Sequence, residues 1–110
     1  MAYSRREIKN LVKKIISTVD IPIKSVYLFG SYAYGSPNKF SDVDLAFVSK
    51  RFKNINKGKR IEKLLGTIYK ARIALDVDIE PLGFTPEEIK KASKWDIAGE
   101  IKEKGIKIYG

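Results

Sequence analysis

Apolar and polar positions along this chain change period several times, and each change marks an element. Ile8, Leu11, Val12, Ile15, Ile16 and Val19 recur at helical spacing with Lys9, Lys13 and Lys14 between them. This is an amphipathic helix of about 15 residues that lays one stripe on a core. Ser4 and Glu7 have capping-box spacing at its start, and Asp20-Ile-Pro22 ends it, because proline cannot continue a helix. Val26-Tyr-Leu-Phe29 is a short run of strand formers broken by Gly30. Tyr32-Ala-Tyr34 reads as a helical turn stopped by Gly35, and residues 36–40 as loop. Leu45-Ala-Phe-Val48 is the next apolar run. Ile61, Leu64, Leu65 and Ile68 then return to helical spacing and predict a long helix from Lys57 to Ala74. Leu75 to Glu80 alternates as a strand, with Pro81 and Gly83 closing it. Thr85-Pro-Glu-Glu88 opens a short helix to Ser93. Ala98 to Lys104 is the last helix, ended by Gly105, and Ile106 to Tyr109 a closing strand. No internal repeat or low-complexity segment interrupts this order.

Two of the strand patterns carry acids where a strand ordinarily alternates apolar and neutral polar residues. Asp42 and Asp44 stand two apart as the chain enters Leu45–Val48, so they share one face while Val43 and Leu45 take the other. Asp76, Asp78 and Glu80 repeat the arrangement on the following strand. Neighbouring carboxylates repel, and with no basic residue between them a divalent cation is the usual reason such a pair is tolerated. Before the first pair, Gly30-Ser31 offers backbone amides free of side-chain bulk beside a hydroxyl, an arrangement suited to phosphate. A helical turn opening there directs further free N–H groups to the same place. Tyr32 and Tyr34 read as packing against the sheet, with base stacking as the alternative.

Composition narrows the chemistry further. A chain of 110 residues makes one domain with a single modest core. Cysteine and histidine are both absent, which removes disulfides, thiolate metal sites and the commonest general base. Catalysis therefore falls to carboxylates, metal ions, hydroxyls or lysines. No apolar run is long enough to span a bilayer and no signal-peptide core is present, so a soluble cytoplasmic protein is expected. The net charge of +9 fits attraction for nucleotide, nucleic acid or an acidic partner, and equally a lysine-rich solvated surface. The segment Ser49–Gly58 is a basic connection. Its default reading is a solvated loop, with contact to a triphosphate or acceptor as the alternative.

Gly30-Ser31, the intervening residues 32–41, and Asp42-x-Asp44 together resemble the signature of the polymerase-β-like nucleotidyltransferase superfamily. Within it, the chain is most similar to the stand-alone minimal nucleotidyltransferases, including those of antitoxin type. The Gly-Ile-x-Ile-Tyr ending extends the resemblance over nearly the whole chain, residues 1–110 as one domain. The resemblance implies an α/β (α+β) fold: a mixed sheet of about four strands with helices mainly on one face. It implies transfer of a nucleoside monophosphate from an NTP, ATP by preference, to an acceptor hydroxyl with two Mg²⁺ ions. Asp42, Asp44 and a third acid would be both catalytic residues and metal ligands. Asp78 fits the third position best, with Asp76 and Glu80 as rivals on the same face. Gly30 and Ser31 would hold the β and γ phosphates, with Ser41 assisting. The acceptor wall that larger relatives build from an added helical domain would come from a HEPN-type helical partner or from a homo-oligomer. In the toxin–antitoxin arrangement the acceptor is the partner itself, silenced by AMPylation. Transfer to RNA or to a small molecule is the second reading. A non-catalytic subunit that neutralises its partner by binding is the third.

Overall fold

The computed structural model describes residues 3–35, 37, 42–71 and 78–110. Ser36, residues 38–40, Ser41, Asp76 and the proposed helix end and strand start over 72–77 lie outside them. The elements run α1 (Arg5–Thr18), β1 (Ser25–Phe29), α2 (Ser31–Tyr34), β2 (Val43–Val48), a 3-10 turn (Lys50–Phe52), α3 (Lys57–Lys70), β3 (Ile79–Phe84), α4 (Pro86–Lys90), α5 (Ile97–Lys104) and β4 (Ile106–Tyr109). The capping box expected for α1 is present: the Ser4 amide donates to Glu7 Oε1 at 2.8 Å, and the Glu7 amide donates to Ser4 Oγ at 3.1 Å. Thr85 and Glu88 build a second capping box on α4, Asn56 caps α3 and Asp96 caps α5.

The strands form one mixed sheet in the order β3-β2-β1-β4. β1 pairs antiparallel with β2 and with β4, whereas β2 and β3 are parallel. The parallel pair puts the N-terminal ends of β2 and β3 side by side. Alternation along β2 separates two cores. Val43, Leu45 and Phe47 face α1 and α3, where they meet Ile8, Val12, Ile15 and Leu64. Ala46 points the other way, with Phe29 and Phe84, onto Ala98 and Ile101 of α5. The two longer helices thus cover one face of the sheet, and the shorter α5 covers part of the other.

β3 departs from the prediction. Its described part runs on through Pro81 and Gly83, both of which were expected to close it. Proline is tolerated because β3 is an edge strand, so the amide it lacks is one the ladder does not use. Gly83 lies in tight packing. A Cβ there would sit 3.0 Å from both the Arg60 Cβ and the Phe52 ring. That space is used by Arg60, only 4% exposed, which donates from Nε to Ile55 O (2.8 Å), from Nη1 to Gly83 O (3.1 Å) and, through both terminal nitrogens, to Glu88 (2.6 and 3.1 Å). Arg60 therefore joins α3, the end of β3 and α4 into one unit.

Candidate active site

The acids gather at the end of the sheet where β2 and β3 begin. The register pairs Val43 with Ile79 and Asp44 with Glu80, and the Val43 amide donates to Asp78 O at 2.9 Å. Asp42 and Asp78 therefore flank the first rung and Asp44 and Glu80 the second, on one face. That face is the one α5 partly covers, since Ala46 and Leu82 continue the same alternation inward.

Gly30 is held against these acids by the β1–β2 register, which sets Phe29 opposite Asp44. Its backbone takes φ 71° and ψ −154°, a conformation that L side chains rarely adopt. A Cβ at this position would collide with the Asp44 carboxylate and lie 3.0 Å from its Cγ. Glycine is thus demanded twice, by the turn and by the approach of the acid. α2 starts immediately after, with Ala33 and Tyr34 donating amides to Gly30 O and Gly35 to Ser31 O. Ser31 is left half-exposed beside the acids.

Electrostatics record the crowding. Partial burial, then the charges of Glu80, Asp42 and Glu100, push the Asp44 carboxyl up from 3.8 to about 6. Glu80 is raised by desolvation, by its hydrogen bond with Asp42, and by the charges of Asp42 and Asp78. Every group acting on these two acids favours the protonated form. A cation held between them would relieve that repulsion. The donor set is carboxylate oxygen alone, in a chain without histidine or cysteine, and this suits a hard divalent ion such as Mg²⁺. Among the described residues no three acids close around one point. An ion here would complete its shell with water and phosphate oxygens, which is how Mg²⁺ is ordinarily held.

One member of the site was not legible in the sequence, and a second, Tyr34, read there only as a sheet-packing or base-stacking aromatic. Glu100 reaches Asp44 from α5, and nothing in the helical pattern of residues 97–104 distinguishes it from a solvated acid. The Tyr34 hydroxyl, raised first by burial and then by its hydrogen bond with Glu100, also meets the Gly30 amide. Lys104, one turn beyond Glu100, lies over the Tyr34 ring at 5.9 Å. Tyr32, in contrast, is a core residue whose hydroxyl accepts from the Tyr3 amide at 3.3 Å. The basic connection after β2 leaves from the end of that strand opposite the acids.

This pairing of a glycine–serine turn with acids on adjacent strands defines a class, and comparison with known proteins agrees. Residues 5–108 match the model of the nucleotidyltransferase domain family, and the chain belongs to that family. It is 29% identical, over 92% of its length and 94% of the relative's, to an inferred protein adenylyltransferase of Methanocaldococcus jannaschii. Two solved structures share the fold. A crystal structure of an inferred nucleotidyltransferase from Sulfolobus solfataricus superposes with a TM-score of 0.61 at 22% identity, covering 94% of this chain and 77% of that one. A toxin–antitoxin structure containing AMP-PNP superposes with a TM-score of 0.54 at 23% identity, covering 93% and 73%. Among the described residues no helix is long and apolar enough to cross a membrane.

Proposed function

We propose that this protein transfers AMP from ATP to a hydroxyl of a partner protein, with Asp42 and Asp44 as the central metal ligands. The observation that carries the reading is the set of four uncompensated carboxylates on adjacent parallel strands beside the Gly30–Ser31 turn. A pair of Mg²⁺ ions, when bound, would stabilise the attacking and leaving oxygens of an in-line displacement. Asp42 and Asp44 would hold them, with Asp78 as the third ligand and Asp76 and Glu80, on the same strand face, as its rivals. The amide of Gly30 and the hydroxyl of Ser31 would orient the β and γ phosphates, and Ser41 would assist. In the transfer, the acceptor oxygen forms a bond to the α-phosphorus. The bond from that phosphorus to the bridging oxygen breaks, and pyrophosphate leaves with the electron pair. The acceptor's proton would pass to a carboxylate oxygen of Asp78 or Glu80.

A protein acceptor is favoured over RNA or a small molecule by the description of the Methanocaldococcus relative. In this reading the partner is of HEPN type and the compartment the cytoplasm; the toxin–antitoxin neighbour, whose structure holds AMP-PNP, supports a protein partner only. Calorimetric titration of ATP with Mg²⁺ into the wild type and into Asp42→Asn/Asp44→Asn tests the site. Metal-dependent binding lost in the variant supports it. Equal binding by both proteins removes these acids from the site. Labelled ATP then tests the acceptor: label on a co-purified helical protein supports the proposal, and label on RNA alone assigns the second reading. A double variant that still neutralises the partner would instead make this a binding subunit.

A further inference from the structure

We propose that the surface along α4, away from the acids, docks a protein partner that presents apolar side chains flanked by carboxylates. Two grooves meet there, of about 610 and 570 Å³, and Glu88 and Lys91 line both, so the surface is continuous across α4. The larger groove has an apolar floor of Ile61, Leu82, Phe84 and Ala92. On its rim Trp95 is 85% and Ile97 54% exposed. An exposed tryptophan beside an exposed isoleucine and an apolar floor marks an interaction surface more than a solvated one.

Charge selects the partner. Glu88 is committed to Arg60, and Asp96 accepts the Gly99 amide at 2.8 Å. Asp96 keeps its formal charge while capping α5, so Glu87 and Asp96 remain against Lys50, Lys53, Lys57 and Lys91. Among the described residues none of these lysines forms a close ion pair, and only Lys57 acts on a carboxylate, that of Glu88 already bound by Arg60. Lys57 rests over the Phe84 ring at 5.1 Å, and Lys94 over the Trp95 ring at 4.9 Å. These cations lie close to apolar surface, where an incoming carboxylate would meet them. A second copy of this chain would bring the same lysines and a net charge of +9 against them. A single-stranded nucleic acid would find one exposed aromatic face, Trp95, for its bases, whereas the floor beneath it is mainly aliphatic. An acidic, apolar-faced protein segment satisfies both halves of the surface.

The inference stands apart from the nucleotide reading. The groove floor reaches Leu82, about 7 Å along β3 from Glu80, but α4 itself follows Phe84 at the other end of the strand from the acids. Trp95 is the chain's single tryptophan, and its fluorescence therefore reports this groove alone. The probe is an amphipathic helical peptide with leucines on one face and glutamates flanking them. Its lysine-for-glutamate counterpart and oligouridine serve as competitors. The expected result is a saturable blue shift with the Leu/Glu peptide, weakened about tenfold in both Lys57→Glu/Lys91→Glu and Ile97→Asp. All these positions are on the surface, and unchanged melting curves would verify folding. Absence of a shift with the peptide at about 1 mM overturns the proposal, as does a shift that charge reversal leaves intact. Stronger binding of oligouridine overturns it in favour of nucleic acid.

Discussion

Replacing Asp44 by Asn should make the metal-free protein more stable while abolishing its nucleotide chemistry. Asp44 is nearly isosteric with Asn, so packing against Gly30 is kept and the main change is the charge. In the folded state, burial and the charges of Glu80, Asp42 and Glu100 raise its carboxyl from 3.8 to about 6. The folded protein therefore binds this proton more tightly than the unfolded chain does, and stability falls as pH rises between those two values. Above about pH 6 the full penalty is present. At about 1.4 kcal/mol per pH unit the shift corresponds to about 3 kcal/mol. Asp44 keeps part of its surface in water, and screening reduces the net effect to about 1 kcal/mol. For a domain of this size that is a rise in Tm of about 5 °C. Urea unfolding of both proteins in EDTA at pH 7.5 and at pH 4.5 measures it. The Asn variant should be the more stable at pH 7.5, with the gap narrowing at pH 4.5 as the wild-type carboxyl takes up its proton. A variant no more stable than wild type at pH 7.5, or a gap independent of pH, would refute the electrostatic account.

Gly30→Ala meets both the positive φ and the Asp44 carboxylate; it should cost about 2 kcal/mol in urea unfolding and remove metal-dependent ATP binding by calorimetry. Arg60→Leu leaves Glu88 and the carbonyls of Ile55 and Gly83 without their partner, and thermal unfolding should record a loss of about 3 kcal/mol. Burial pushes the Glu88 carboxyl up, but the Arg60 guanidinium and the Thr85 amide outweigh it and hold the carboxyl below its ordinary 4.5. Its contribution is thus present above that value and lost as pH falls through the lower folded one. Glu88→Gln should be less stable than wild type at pH 7, and the two should converge in acid. Asp78→Asn and Glu80→Gln separate the candidate third ligands: the one that lowers transfer of label by about a hundredfold is the ligand or base, and equal small effects from both would exclude either role.

Much of this protein is local in its chemistry. The capping pairs Ser4–Glu7 and Thr85–Glu88, the helical stripe of α1 and the apolar runs of β1 and β2 declare themselves because neighbours in sequence satisfy one another. Period two put Asp42 and Asp44 on one face, and the glycine–serine turn at its distance from them pointed to the family. What sequence could not supply was the register between strands. Only the parallel pairing of β2 with β3 sets Glu80 beside Asp44, and only the edge position of β3 explains how that strand runs through Pro81. Glu100 entered the site through the packing of Ala98 and Ile101 on the sheet, a contact between residues far apart in the chain. The same topology sent the lysines after β2 to the opposite end from the acids, because a strand that begins at the site must end a strand's length away. Periodicity and capping are set by residues a few positions apart and can be read along the chain. The company an acid keeps across a sheet is set by pairing and docking, which the folded structure alone decides.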